Sequence, residues 1–174
     1  MTLLKRLQKV LNALEKHKIP YWLDGGILLG IYRDKKLIEG DSDLDIGIYV
    51  DTIKNPKKKK QLINLLKDLN WSLLLDQESR LKFKHNTSNT GFDFWIFNKA
   101  NEFYWHRAWG VCFYFKLECL NTLTKFKCND FNYFIPSNPE TYLADLYGEQ
   151  WRIPNPNFKK PEDYKNTTIN LKLQ

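Results

Sequence analysis

Leu3, Leu4, Leu7, Val10, Leu11 and Leu14 recur at intervals of three and four among lysines and polar residues, which predicts an amphipathic helix at the start of the chain, ended by Pro20. Such a stripe reads as a core face rather than a membrane anchor. After Pro20 the period changes. Residues 21–23 suit a short strand, Gly25-Gly26 a turn, and residues 27–33 a short apolar helix. An alternating run then reaches Val50. Residues 61–69 return to helical spacing, with the lysines at 57–60 read as a solvated loop and first turn. Strand-like runs follow at 71–75, 81–84 and 91–97. No repeat, linker or low-complexity tract divides this order. The pattern predicts an α/β (α+β) fold, one domain over residues 1–174, with a mixed sheet flanked by helices and acids on an open sheet edge.

The acids carry the chemistry. Asp41, Asp43 and Asp45 stand at every second position before Ile46, Ile48 and Val50. In a strand they would share one face, opposite Ser42, Leu44 and Ile46. Like charges that close repel unless water or a cation separates them. Hard oxygen ligands of this kind suit Mg²⁺ or Mn²⁺, which take one or two carboxylates and complete their shell with substrate phosphates. Gly25 and Gly26 let a backbone approach a phosphate closely, and the free N–H groups of the following helix start, around Ile27 to Gly30, favour an anion. An acidic turn at a strand start is the plain alternative.

The run WLDGGILLGIYRDKKLIEGDSDLDIGIY resembles the signature of the LicD/fukutin-type transferases, a branch of the DNA polymerase beta-like nucleotidyltransferase superfamily. The matching residues are Gly25-Gly26, Leu28-Leu29-Gly30, Arg33 and the cluster Asp41 to Asp45. A second block, IPSNPETYLADLYGEQWRIP, is similar to the C-terminal signature of that family through Pro136, Tyr142, Leu143, Tyr147, Gly148, Trp151 and Pro154. Ile27 stands where the family has Thr or Ser, and Glu39-Gly40 where it has Pro-Trp. The resemblance implies a nucleotidyltransferase-like sheet and transfer of a phosphocholine or polyol-phosphate group from a CDP-linked donor to a hydroxyl of a glycan acceptor, as in capsule or lipopolysaccharide biosynthesis. It also implies that Asp43 and Asp45 bind the metal, that Gly25 and Gly26 hold a phosphate, and that Arg33 neutralises charge during transfer. Pairing of Arg33 with a nearby acid is the competing reading.

The superfamily places a third acid on a neighbouring strand, and Asp93 in GFDFWIF is the matching residue. It alternates with Phe92 and Phe94, and would act as a metal ligand or as the base for an incoming hydroxyl. Downstream, Tyr104, Trp105, His106, Arg107 and Trp109 crowd one span. Their rings suit a base or a choline-type cation, and Arg107 a substrate phosphate. Filling of a core by a strand pair is the alternative, and His106 reads as structural.

Composition sets outer limits. A net charge of +7 favours anionic partners, a phosphorylated glycan or a membrane surface among them, so peripheral membrane association is compatible. No arginine-rich, aromatic-interleaved stripe extends the lysine run, which argues against nucleic acid. Neither a membrane span nor an apolar signal core is present in the sequence, and a cytoplasmic location is expected. Cys112, Cys119 and Cys128 are odd in number and irregularly spaced, which favours buried thiols over disulfides or zinc. A dimer or partner subunit completing the site is compatible with a short chain. Two rivals share the acids: a nucleotidyltransferase acting with a nucleoside triphosphate on a small molecule, RNA or protein, and a non-catalytic scaffold.

Overall fold

A computed structural model describes residues 1–41 and 43–168. Helix α1 (Leu3–Lys16) starts where the Thr2 hydroxyl accepts the Lys5 N–H, and it buries Leu7, Val10, Leu11 and Leu14. Strand β1 (Trp22–Leu23) leads into α2 (Gly25–Leu29), which continues as a π-helical turn over Gly30–Asp34. Strand β2 (Asp43–Tyr49) carries the acids. Helices α3 (Val50–Lys54) and α4 (Pro56–Asp68) then lead to the hairpin β3 (Trp71–Asp76) and β4 (Arg80–His85). The long strand β5 (Gly91–Lys99), the hairpin β6 (Phe103–Ala108) and β7 (Val111–Lys116), and the short helix α5 (Leu117–Leu120) come next. A second hairpin, β8 (Leu123–Cys128) and β9 (Phe131–Pro136), precedes α6 (Pro139–Tyr147) and the short strand β10 (Thr167–Thr168).

The main sheet runs β1-β2-β5-β6-β7-β10, with β4 also paired to β5 and β3 to β4; β8 and β9 pair separately. Strands β2 and β5 are parallel, and the other pairs are antiparallel. The mixed sheet flanked by helices is the expected fold class. Period-two patterning divides its two faces. Leu44, Ile46 and Ile48 of β2, Phe92, Phe94 and Ile96 of β5, and Leu81 and Phe83 of β4 are all buried. They join Leu62, Leu65 and Leu66 of α4 and the apolar stripe of α1 in one cluster. The other face, at the β2 start, holds the acids.

Three local expectations change. The lysines at 57–60 are helical rather than loop, because Asn55 accepts the Lys57 and Lys58 N–H groups and Pro56 supplies a preset first turn. Strand β2 begins at Asp43, so Asp41 lies before it; its carboxylate accepts the Asp43 N–H at 3.2 Å in an Asx-type turn. Ser42 lies outside the described residues. Finally, β2 is not an edge strand: β1 flanks it, but only at Ile46 and Gly47, so the acidic start meets α2 instead of a strand. The aromatic span is the β6–β7 hairpin, the strand pair weighed as an alternative.

Candidate active site

Register across three strands builds the site. Asp43 of β2 lies opposite Gly91 of β5, Asp45 opposite Asp93, and Gly47 opposite Trp95. On the far side of β5, Lys84 pairs with Gly91, Lys82 with Asp93 and Arg80 with Trp95. Residues opposite one another share a face, so a carboxylate column on β2 and a cation column on β4 flank the centre of β5. Gly91 leaves room for the Asp43 carboxylate, which a Cβ there would displace. Gly25 and Gly26 serve similarly on the other flank: added Cβ atoms would lie 3.1 Å from Asp45 Oδ2 and 2.6 Å from Asp41 Oδ2. Gly25 also has φ +51°, which a side chain would strain.

Asp45 is half-buried and accepts the Trp95 indole N–H at 2.9 Å. Burial pushes its carboxyl up to about 7; the Trp95 bond opposes this, the charges of Asp24 and Asp93 add to it, and Lys160 offsets part. Asp93 is 3% exposed, and one of its oxygens, Oδ1, has no hydrogen-bond partner among the described residues. Its Oδ2 faces Lys82 Nζ at 3.5 Å and an Arg80 Nη1 at 3.9 Å. Burial raises its pKa, and these two cations lower it.

Asp24 joins them from the start of α2. It is buried; its Oδ1 accepts the Gly25 N–H at 2.8 Å and the Tyr142 hydroxyl at 2.7 Å, while its own N–H donates to the Asp45 carbonyl at 3.1 Å. Burial pushes this carboxyl up to about 6, with both donors holding it down. The Gly25 N–H, in the glycine pair expected to cradle a phosphate, is therefore taken by the chain's own carboxylate.

Arg33 and Arg107 are not brought into the row by any contact seen. The Arg33 Nε and an Nη grip Asp34 at 2.9 and 2.7 Å, and the other Nη donates to the Trp151 carbonyl at 3.2 Å. Arg33 thus ties the π-helical turn to the segment after α6. Arg107 is exposed and alternates with buried His106, so it leaves on the opposite face of β6, with its guanidinium over the Trp105 ring. His106 itself lies between Trp95 and Phe113, and burial pushes it down to about 3, so it is neutral at physiological pH. With Asp45, Trp95, Trp109 and Tyr164 it lines a cavity of about 30 Å³, room for one water.

The donor set fits a hard divalent cation. Among the described residues no group of three or more His, Cys, Asp or Glu side chains is placed to hold a metal ion. Two facing carboxylates completed by substrate oxygens do not need such a group. An oxygen on Asp93 buried without a partner among the described residues, and an Asp45 carboxyl raised chiefly by burial and further by the charges of Asp24 and Asp93, are both features that an added cation would offset.

The model of the LicD/FKTN/FKRP nucleotidyltransferase domain matches residues 18–138, which contain Asp24, the carboxylate column and the cation column. The chain belongs to this LicD/FKTN/FKRP family. Over 173 residues it is 24% identical to ribitol-5-phosphate transferase FKTN of Homo sapiens, covering 95% of this chain and 35% of that protein. Ribitol 5-phosphate transferase FKRP of Homo sapiens is 44% identical over 46 residues, 26% of this chain and 9% of that protein. The chain thus spans about a third of FKTN, 35%. The crystal structure of the lincosamide antibiotic adenylyltransferase LnuA with lincomycin superimposes with a TM-score of 0.58 at 20% identity, covering 85% of this chain and 92% of that one. At that identity the match establishes a shared nucleotidyltransferase fold.

For this LicD-family chain, sequence reasoning assigned no site role to Asp24, Trp95, Arg80, Lys82 or Tyr142, the last named only within the C-terminal signature. Three of these had a signal: Asp24 is an N-cap type directly before Gly25-Gly26, and Arg80 and Lys82 lie in RLKFK, which alternates cations with apolar residues at period two. Tyr142 lies 118 positions from Asp24, and no local pattern links them.

Proposed function

We propose that this chain is a metal-dependent transferase that moves a polyol-phosphate or phosphocholine group from a CDP-linked donor to a hydroxyl of a surface glycan. The observation that carries the proposal is the parallel register placing Asp45 opposite Asp93, with Asp43 over the bare Gly91. Membership of a family that includes proteins named as ribitol-5-phosphate transferases favours a polyol phosphate as the group moved.

Asp43 and Asp45 would hold Mg²⁺ or Mn²⁺, which when bound offsets the charge of the donor phosphates. Trp95 fixes the Asp45 carboxylate through its indole N–H, and Tyr142 fixes Asp24 behind it. The acceptor oxygen bonds to phosphorus as the bond to the cytidine monophosphate leaving group breaks, and Asp93 takes the hydroxyl proton. A carboxyl whose pKa is raised by burial suits that role better than a fully ionised one, and the adjacent Lys82 and Arg80 disfavour a cation at the same atom. Gly25 and Gly26 keep the flank of the row narrow, and Arg33 braces the turn that follows them. Arg107 would act only on an acceptor that reaches around β6. Cytoplasmic action on an activated donor is part of the proposal; no described helix is long and apolar enough to cross a membrane.

Incubation of the purified chain with Mg²⁺ or Mn²⁺, CDP-ribitol, CDP-glycerol, CDP-choline and nucleoside triphosphates, followed by chromatography, tests it. Metal-dependent release of cytidine monophosphate, lost in Asp45→Asn, is expected. Pyrophosphate release from a triphosphate would move the chain to the nucleotidyltransferase reading.

A further inference from the structure

The carboxylate face also bears a column of cations. Arg80 and Lys82 alternate with buried Leu81 and Phe83, and Lys84 continues the column at the exposed end. Adjacent strands lie about 4.8 Å apart, so Lys82 starts two spacings, about 10 Å, from Asp45, with Asp93 between them. The contacts of Asp93 with Lys82 and Arg80, at 3.5 and 3.9 Å, are loose beside the closed pairs Lys59 with Asp76 at 2.6 Å and Arg33 with Asp34 at 2.7 Å. Both cations share one Asp93 oxygen, and the other is buried without a partner. Cations that fully closed on Asp93 would be a structural ion pair; these stand off from it, and the Arg80 guanidinium lies over the Trp95 ring beside the acid row.

Charge points the same way. On this face Arg80, Lys82 and Lys84 stand on the β4 side while Asp43 and Asp45, with Asp24 and Asp41 beside them, stand on the β2 side, so a divalent cation on Asp43 and Asp45 would offset the acids and leave the β4 side positive. A nucleoside diphosphate ester carries two negative charges along the linkage that would lie there. The Gly25 N–H, the obvious backbone donor, is occupied by Asp24.

We propose that Lys82 and Arg80 form the diphosphate-binding wall of the site, each reaching a phosphate oxygen of the donor, beside Asp93, whose Oδ2 both cations face. The proposal rests on the reading that the donor is a diphosphate. It assigns these two side chains to substrate binding.

Titration calorimetry of the full chain with inorganic pyrophosphate, in EDTA and again in Mg²⁺, tests the wall without any nucleoside or acceptor. Loss of one charge-assisted contact weakens binding about tenfold or more, so Lys82→Met and Arg80→Gln should each reach that figure, and Lys82→Arg should recover most of it. Because Lys82→Met strips a partner from buried Asp93, the charge-balanced double variant Lys82→Met/Asp93→Asn guards against loss of fold. It should melt cooperatively yet bind pyrophosphate as weakly as Lys82→Met. Wild-type affinity in that double variant, or no pyrophosphate binding by the wild type, overturns the proposal. Lys82-dependent pyrophosphate binding with no turnover of any CDP conjugate supports the wall and removes only the donor assignment.

Discussion

Replacing Asp45 with Asn should make the metal-free chain more stable, and more so at high pH. The folded-state carboxyl titrates near 7, against an ordinary 3.8. Between those values the folded state holds a proton that the unfolded state has lost, so stability falls as pH rises through the window. At 1.36 kcal/mol per pH unit the penalty is about 1.5 kcal/mol at pH 5 and reaches about 4 kcal/mol at pH 8. These are upper limits, since half-buried Asp45 keeps some contact with water. The asparagine carbonyl can still accept the Trp95 N–H, so the substitution removes the charge and little else. Urea unfolding in EDTA at pH 5 and pH 8 would measure the difference. The variant should gain about 2 kcal/mol or more at pH 8 and clearly less at pH 5. Mn²⁺ should then stabilise the wild type at pH 8 but not the variant. A variant less stable than wild type at pH 8, or a gain equal at both pH values, would refute the claim that Asp45 is a carboxylate held short of positive charge.

Three other substitutions probe the surroundings. Tyr142→Phe removes a donor from buried Asp24 and should cost about 1.5 to 3 kcal/mol at pH 8, less at pH 5 where Asp24 is protonated, by the same unfolding assay. Gly91→Ala should leave the circular dichroism spectrum intact but weaken Mn²⁺ binding followed by electron paramagnetic resonance, because the methyl displaces Asp43. Trp95→Phe deletes the N–H that stabilises the Asp45 carboxylate, so in EDTA the loss of stability between pH 5 and pH 8 should be larger than in the wild type; an unchanged loss counts against Asp45 being the group that titrates there.

Much of this site was legible because it is written at period two. The alternation of Asp43 and Asp45 with Leu44 and Ile46 separates solvent face from core whatever the neighbouring strand. Asp93 stood out for the same reason, as the one acid in an aromatic strand. Strand β2 starts at Asp43 because Asp41 bonds back to the Asp43 N–H, a turn choice that spacing alone does not reveal. The roles read onto Arg33 and Arg107 depend on where helix ends and hairpins place a long side chain. In the folded chain Arg33 meets Asp34 and the Trp151 carbonyl, and Arg107 follows the outer face of β6. Contacts such as Tyr142 to Asp24 join distant segments and come only from the assembled fold.

The central claim is that Asp43 and Asp45 support metal-dependent transfer from a CDP-linked donor. Its most direct test is release of cytidine monophosphate from CDP-ribitol by the purified chain, with and without Mg²⁺, in wild type and Asp45→Asn. The account predicts release that needs both the metal and the carboxylate; release that persists in EDTA or in Asp45→Asn would contradict it.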